Sequence, residues 1–512
     1  MTSAEHRPRS SLAGPDRAEA LVVVLPTVAA LFERLNGSEV RYCHWKSNWI
    51  LEETLDGKTD IDLLVRRQGA PSFRRILQNL GFRPAVELGA APFPSVEHYH
   101  ALDESSGALV HVHAYYRVIS GGSLAKNYHL PLEEMLLEDG TRIGIVNVPS
   151  KGAELAVFVL RMYLKHTTLA ELALLRRSWA NVRREVSWLA TDEARARAEA
   201  LLPTWLPGFD PELFGAALDA LRTSASLRSR LALGRRVRAE LRPYARHGRA
   251  RTWLAEERTL AVRAVYRSRG ERKALTPAGG GAVIAFVGPE ATGKSTMLAD
   301  VEHWLGAHYT VHRVHAGKPP STWLTVVPNL LLPALRSLLP DQRSTKVTAR
   351  EPCEEDVSSK PFPLLFGIRS LFLAHDRRAL LTRAFSRSAN GAIVLSDRYP
   401  SVERGALDGA QLGGPNRAAA GGSLRRWLAD AEARLYRDIP PPDLVVYLTA
   451  PLEVTLERNV DRAKSEPESY VLSRHARSIN LQFERVRVHR IDTNKPLDEL
   501  TRELRRVIWD AL

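Results

Sequence analysis

The sequence predicts an α/β protein whose C-terminal part, residues 277–512, contains a parallel β-sheet covered by helices. Apolar runs at 282–287, 391–396 and 443–448 have the composition of strands that are buried on both faces. Helical patterns separate these runs, and such alternation is typical of a parallel sheet with helices on both sides.

Composition divides the chain into four segments. Residues 1–20 are polar and are predicted to be a disordered tail, and residues 21–150 mix strand and helix patterns. Residues 151–276 are helical by pattern, for example at 154–175 and 192–202, and end in a basic linker. The Pro/Gly cluster at 277–281 then marks the start of the C-terminal domain.

Bulk composition is that of a globular protein in a reducing compartment. Apolar residues make up 44% of the chain and charged residues 25%, and the only cysteines are Cys43 and Cys353. Two cysteines argue against a disulfide framework, so a cytoplasmic location is expected. The apolar run 21–26 is too short to span a membrane and lacks a signal-peptide pattern.

Positive charge is concentrated in one segment. Residues 228–273 carry fifteen Lys/Arg and four Glu, which is +11 of the net +14. Such a block either contacts phosphates, acidic lipid or an acidic partner, or it is a solvated basic helix. Aromatic residues are sparse there and no nucleic-acid motif occurs, so a nucleic-acid partner is not expected.

The strongest motif is a phosphate-binding loop at 288–296. Its sequence fits G-x-x-x-x-G-K-[ST], with an apolar strand at 282–287 before it and a helix pattern at 297–305 after it. Backbone N–H groups of such a loop and of the helix N-terminus bind phosphate oxygens. Lys294 is expected to reach the β- and γ-phosphates and Ser295 to ligate Mg²⁺. The predicted ATP-binding residues are Gly288, Ala291, Thr292, Gly293, Lys294, Ser295 and Thr296.

A second group of candidates follows the strand at 391–396. Asp397 and Arg398 come at its carboxyl end, where ligands bind in parallel sheets. The carboxylate can hold magnesium, and the guanidinium can hold an acceptor phosphate by two hydrogen bonds.

A third predicted strand, 443–448, leads to a helix that carries Arg458 and Arg462. The two arginines are four residues apart and share a helix face, where they could close over a transferring phosphoryl group. A last strand at 488–491 and the loop 492–496 are a usual place for an adenine ring.

Taken in order, these motifs resemble the thymidylate kinase family over residues 282–512. The similarity includes the phosphate-binding loop, a helix containing Phe-Leu-Ala-His-Asp-Arg at 372–377, Asp397-Arg398-Tyr399, and the arginine pair on the later helix. The resemblance implies transfer of the ATP γ-phosphate to a nucleoside monophosphate, dTMP as the first candidate, in an enzyme that is commonly a homodimer.

The resemblance also implies roles for single residues. Arg377 would contact the acceptor base, Arg398 its phosphate, and Glu290 its sugar, with Tyr399 beside them. The phosphate-binding loop has no arginine, so Arg458 and Arg462 would supply the catalytic positive charge.

Two features depart from the family pattern. Residues 400–409 match poorly the stretch that completes the acceptor pocket. The family's Arg-Glu-Pro has a counterpart at 350–352, but this lies 350 − 294 = 56 residues after Lys294. It either follows an insertion or is coincidental, and 309–314 is the more natural second strand.

In the N-terminal part, Asp60 and Asp62 alternate on a predicted strand, so both carboxylates face the same way. Paired carboxylates can hold divalent metals. Residues 28–120 resemble the nucleotidyltransferase fold of the DNA polymerase β type, with His111 in the place of that fold's third carboxylate. His111 and His113 are either metal ligands or the polar face of a half-buried strand.

Three functions fit these patterns. The first is an ATP-dependent phosphotransferase fused to a nucleotidyltransferase-like module that binds or scaffolds. The second is a bifunctional enzyme with an active N-terminal nucleotidyltransferase. The third is a non-catalytic ATP-binding regulator whose basic segment contacts an acidic partner.

Overall fold

The computed structural model describes residues 23–87, 95–166, 169–223, 226–268, 275–331, 362–402, 406, 408–412, 422–460, 466–478 and 481–512, with the backbone alone for 169–178, 266 and 267. The predicted tail 1–20 and the tripeptide 350–352 lie outside these residues, as does Arg462.

Strands occur in both halves of the described chain. They are β1 (Tyr42–His44), β2 (Ile61–Val65), β3 (Arg83–Glu87), β4 (Val96–Leu102), β5 (Leu109–Tyr115), β6 (Val118–Ser120), β7 (Tyr128–Leu130), β8 (Gly140–Ile143), β9 (Val146–Pro149), β10 (Leu275–Pro277), β11 (Val283–Val287), β12 (Val311–His315), β13 (Ile393–Asp397), β14 (Leu444–Thr449) and β15 (Arg487–Asp492).

Helices surround these strands and fill the middle of the chain. They are α1 (Pro26–Asn36), α2 (Leu51–Leu55), α3 (Ala70–Asn79), α4 (Glu133–Glu138), α5 (Lys151–Lys165), α6 (Leu169–Leu189), α7 (Asp192–Trp205), α8 (Pro211–Arg222), α9 (Leu227–Glu240), α10 (Arg249–Ser268), α11 (Lys294–Gly306), α12 (Leu364–Ala389), α13 (Gly422–Arg437), α14 (Leu452–Val460), α15 (Glu468–Ala476) and α16 (Leu497–Ala511).

The N-terminal sheet has six strands in the order β1-β2-β5-β4-β3-β10. Strands β2 and β5 are parallel and the other neighbours are antiparallel. Helices α1 and α3 cover one face with a buried cluster that includes Phe32, Ile61 and Phe73. The parallel pairing aligns Asp62 with His113, which sets the polar groups of the two strands side by side.

The middle of the chain is a helical unit built around α5. Eleven of the fifteen residues of α5 are buried, and its middle, residues 155–160, is apolar on all sides. Side chains of Ser150, Thr191 and Asp210 accept backbone N–H bonds and so begin α5, α7 and α8. The single helix predicted over 154–175 is wrong in its bounds, because α5 ends at Lys165 and α6 begins at Leu169.

The C-terminal sheet has five parallel strands in the order β12-β13-β11-β14-β15. The prediction of an α/β fold with a parallel sheet in this part is therefore confirmed. The chain leaves β11 toward β12 on one side and leaves β13 toward β14 on the other. Such a reversal opens a crevice at the carboxyl ends of the two central strands.

The two sheets are directly connected. Strand β10, which precedes the C-terminal sheet in sequence, pairs with β3 of the N-terminal sheet. Arg505 on α16 donates to the Gly107 carbonyl (3.2 Å) and pairs with Asp300 on α11 (3.0 Å). Ala85 and Leu109 pack in the same apolar cluster as α11 and α16.

Among the described helices, none is both long enough and apolar enough to cross a bilayer.

Candidate functional site

The loop between β11 and α11 turns sharply because two glycines take backbone conformations with positive φ. Gly288 has φ 139° and Gly293 has φ 81°. A Cβ at position 288 would lie 2.1 Å from the carbonyl oxygen of Leu448, so only glycine fits beside β14. Helix α11 begins directly after Gly293, and its free N–H groups face the concave side of the loop. This is the geometry that binds phosphate.

Lys294 lies across this loop with its side chain almost fully buried. Its ammonium donates to the carbonyl oxygens of Gly288 (3.0 Å) and Pro289. Burial lowers the pKa of Lys294 to about 8, although the nearby Glu290 carboxylate raises it. The ammonium is thus held by carbonyls that a phosphate oxygen could replace.

Other loop side chains divide between the interior and the solvent. Thr292 is buried and its hydroxyl donates to the Pro289 carbonyl at 2.9 Å. Ser295 and Thr296 are exposed toward the space above the loop. The Ser295 hydroxyl is therefore accessible, whereas the Thr292 hydroxyl stabilises the loop from inside.

Asp397 and Arg398 stand beside the loop because β13 pairs in parallel with β11. The register aligns Asp397 with Phe286, one residue before the end of β11. The Asp397 carboxylate is 3.4 Å from His315 Nδ1, and Asp397 lines the same cleft as Ser295. A serine hydroxyl and a carboxylate are oxygen ligands of the kind Mg²⁺ prefers, so these two side chains fit a magnesium site.

Arg398 is the centre of a network of charges. Its backbone has φ 73°, an uncommon conformation for a residue with a side chain. Its guanidinium donates to Glu290 (2.6 Å) and pairs with Asp408 (3.3 Å), while Arg474 also approaches Glu290 (3.0 Å). An arginine paired with carboxylates can exchange one of them for a phosphate.

Glu290 stays ionised within this network. Burial raises its pKa, but the cations Lys294, Arg398 and Arg474 together outweigh burial and lower the pKa below its usual value.

The loop and the Asp397–Arg398 pair share one cleft of about 620 Å³. Its lining includes residues from the loop, the ends of β12 and β13, helix α14, the segment after β15 and the start of α16: Glu290, Ala291, Thr292, Gly293, Lys294, Ser295, Thr296, Met297, His315, Asp397, Arg398, Arg458, Thr493, Lys495, Leu497 and Leu500. The structure therefore brings together most of the C-terminal residues that the sequence analysis selected.

Arg458 lines the same cleft from the opposite side. Its guanidinium donates to the hydroxyl (3.1 Å) and carbonyl (2.9 Å) of Thr493, in the loop predicted to hold the adenine. Arg462, its predicted partner on the helix face, lies outside the described residues.

Arg377 and Tyr399 are placed differently from the loop residues. Arg377 is buried and donates to the carbonyls of Ala316 and Asp408, both at 2.8 Å, and to the Tyr436 hydroxyl. The Tyr399 hydroxyl donates to the Pro440 carbonyl. Both side chains stabilise the wall behind Arg398, and their predicted contact with an acceptor stays a prediction.

The N-terminal candidates lie on one face of their sheet. His111 Nδ1 donates to Asp60 Oδ1 at 2.9 Å, and His113 Nδ1 donates to Asp62 Oδ1 at 3.1 Å. Lys46 also pairs with Asp62 Oδ1 at 2.9 Å. Burial raises the pKa of Asp62, but Lys46 and His113 outweigh it and hold that pKa below its usual range. Both carboxylates therefore already have cationic or N–H partners.

Sequence reasoning missed Arg474 and Asp408. Arg474 lies on α15 and reaches Glu290, yet its local pattern is that of an ordinary charged helix. Asp408 bridges Arg377 and Arg398 from the stretch 400–409, which matches the resembled family poorly. An acidic side chain in the stretch that follows Arg398 was the feature of the sequence that could have indicated this ion pair.

Comparisons with known proteins give distant relatives. No protein-family model matches the chain. The chain is similar to two Escherichia coli K12 proteins. Over 233 residues it is 24% identical to the uncharacterized ATP-binding protein YghR, covering 44% of this chain and 86% of that protein. Over 240 residues it is 25% identical to the uncharacterized ATP-binding protein YghS, covering 45% and 93%.

Among solved structures, the chain was compared with a deoxyadenosine kinase from M. mycoides with bound dATP. The TM-score is 0.25 and the identity 12%, over 44% of this chain and 98% of that one. At these values the likeness carries no argument about function.

Proposed function

We propose that the chain is an ATP-dependent phosphotransferase that transfers the γ-phosphoryl group of ATP to a nucleoside monophosphate, with dTMP as the first acceptor to test. The observation that carries the proposal is the shared cleft, in which Lys294 and Ser295 face Asp397 and Arg398. Two distant relatives described as ATP-binding proteins support the ATP half of the proposal.

The phosphate-binding loop positions the donor. Its N–H groups and the start of α11 would bind the β- and γ-phosphates, and Lys294 would exchange the carbonyls of Gly288 and Pro289 for phosphate oxygens. The charge of the lysine then follows the phosphoryl group during transfer, which stabilises the transition state more than the ground state.

Magnesium would be held by Ser295 and Asp397 and would neutralise charge on the donor phosphates when bound.

Arg398 positions the acceptor. In the described structure its guanidinium pairs with Glu290 and Asp408, and an acceptor phosphate would take the place of Glu290. Glu290 would keep Arg474 as a partner, because that arginine lies 3.0 Å from the same carboxylate oxygen. The displaced carboxylate could then accept a hydrogen bond from a hydroxyl of the acceptor sugar.

Arg458 and Arg462 are proposed to supply the remaining positive charge. Arg458 already lines the cleft and would leave Thr493 to reach the phosphoryl group. Removing water around the transferring group strengthens such charge interactions.

The test is ADP release from ATP and magnesium with a panel of nucleoside monophosphates, sugars and sugar phosphates. We expect ADP release that depends on one class of monophosphate and that is lost in Lys294→Ala. Lys58→Ala is the control and should release ADP normally, because Lys58 is a surface lysine that pairs with Asp56. ATP binding without transfer to any acceptor would overturn the proposal and favour a non-catalytic regulator.

The proposal does not include nucleotidyl transfer at Asp60 and Asp62. Asp62 pairs with Lys46 at 2.9 Å and with His113 at 3.1 Å.

A further inference from the structure

A cluster of histidines lies on the neighbouring strands β4 and β5 of the N-terminal sheet. His98 of β4 and His111 and His113 of β5 bring one ring nitrogen each to within 4.8 Å of the others. The closest pair is His98 Nδ1 and His111 Nε2, at 3.3 Å. The His111 and His113 rings are nearly perpendicular, with centroids 4.1 Å apart.

Two of these histidines have a hydrogen-bonded carboxylate on the ring nitrogen that faces away from the cluster. His111 Nδ1 is 2.9 Å from Asp60, and His113 Nδ1 is 3.1 Å from Asp62. His98 Nε2 lies 3.7 Å from a carboxylate oxygen of Glu87, beyond hydrogen-bond distance. An ionised carboxylate only accepts hydrogen bonds, so Asp60 and Asp62 fix the N–H of His111 and His113 on Nδ1.

The Nε2 atoms of His111 and His113 then carry lone pairs, whereas the proton of His98 is free to lie on either ring nitrogen. With that proton on Nδ1, His98 donates to His111 Nε2 at 3.3 Å; with it on Nε2, two lone pairs face each other at that distance and can bind one cation. Metal-binding histidines commonly donate their outer N–H to a carboxylate, which orients the ring and makes the inner nitrogen a better ligand. His111 and His113 have that arrangement here.

The separation of His98 Nδ1 and His111 Nε2 is that of two nitrogen ligands of a transition metal. Zinc binds imidazole nitrogen at about 2.0–2.1 Å, so two nitrogens of a tetrahedral site lie about 3.3 Å apart. The donor atoms are imidazole nitrogens, which suit zinc and similar divalent ions, whereas magnesium prefers oxygen.

His100 adds rigidity beside the cluster. Its ring is fully buried and packs flat on His111, with centroids 4.1 Å apart and planes 13° apart. His308, which follows α11 of the C-terminal part, packs against His100 at 5.0 Å. The plane of the His111 ring is thus held from both halves of the chain.

We propose that His98, His111 and His113 form a site for one zinc-class divalent cation, with Asp60 and Asp62 as positioning residues that orient the rings of His111 and His113. The carboxylates predicted as direct metal ligands at positions 60 and 62 act through the histidines instead. Three protein ligands leave a fourth position open to water or a small ligand. The site is independent of the proposed phosphotransfer.

The test uses the full chain without a histidine tag, freed of metal by a chelator and titrated with Co²⁺ and then Zn²⁺. The expected result is one equivalent of Co²⁺ with the visible absorption of a tetrahedral complex, displaced by Zn²⁺. His98→Asn and His113→Asn should abolish that spectrum. Asp60→Asn should keep it with affinity lowered about 10- to 100-fold, since it removes only an orienting partner.

The control is His129→Asn, because His129 also pairs with a carboxylate, Glu133 at 2.9 Å, but lies outside the cluster. It should bind Co²⁺ as the unaltered chain does. Circular dichroism identifies any variant that fails to fold. If a histidine variant does not fold, Asp60→Asn decides the test, because the Asp60 side chain is half-exposed and its substitution should not disturb folding. No saturable Co²⁺ binding at micromolar concentration, or equal binding by His113→Asn or Asp60→Asn, would overturn the proposal.

Discussion

Binding of ATP should weaken as the pH rises through the pKa of Lys294. Burial sets this pKa at about 8 in the nucleotide-free chain, and phosphate oxygens around the ammonium would raise it in the complex. Binding therefore requires the protonated lysine. The protonated fraction is about 0.9 at pH 7 and about 0.09 at pH 9, so the affinity should fall about tenfold between these values.

Calorimetry with a non-hydrolysable ATP analogue measures this directly. At pH 9, titrations in buffers of different ionisation enthalpy should show uptake approaching one proton per nucleotide bound, and at pH 7 almost none. Lys294→Arg is the matched control, since a guanidinium does not titrate in this range and its weaker binding should be independent of pH. The reasoning is refuted by a flat affinity from pH 7 to 9 in the unaltered chain, or by the same slope in Lys294→Arg.

Two further changes test the cleft and the loop. Arg398→Ala should lower kcat/KM for the acceptor about 10²-fold, because it removes one buried charge-assisted contact with the acceptor phosphate, and ATP affinity measured by calorimetry should not change. Arg378→Ala is the control, since Arg378 belongs to an exposed ion pair. Weaker ATP binding by Arg398→Ala would contradict the assignment of Arg398 to the acceptor. Gly288→Ala should lower the free energy of unfolding, measured with urea, by at least about 2 kcal/mol, because its Cβ would meet the Leu448 carbonyl. Gly306→Ala is the control and should leave stability unchanged, because its Cβ would enter open space. Equal stability of the two variants would show that the loop can shift.

Short-range patterns predicted much of the C-terminal part. The strands expected at 282–287, 391–396 and 443–448 correspond to β11, β13 and β14 within one or two residues. Buried parallel strands are apolar throughout, so composition alone locates them. Helix ends were less predictable, as the division between α5 and α6 illustrates, because both sides of the break have a helical pattern.

The sequence predicted those parts of the site in which the position of a residue depends on its neighbours in the chain. Lys294 and Ser295 belong to a motif whose strand, turn and helix are contiguous, so the sequence specifies their geometry. Arg377 resembled a ligand contact by motif, yet its guanidinium is satisfied by carbonyls and Tyr436. Those partners are distant in sequence, and no local pattern reveals them.

The sequence by itself determined the α/β class and the phosphate-binding loop, since both depend on the periodicity and backbone preferences of neighbouring residues. Only the tertiary structure decided which polar side chains meet: Arg474 with Glu290, and His98 with His111. These contacts arise from strand register and helix packing between distant segments, where a shift of one residue would turn a side chain to the other face.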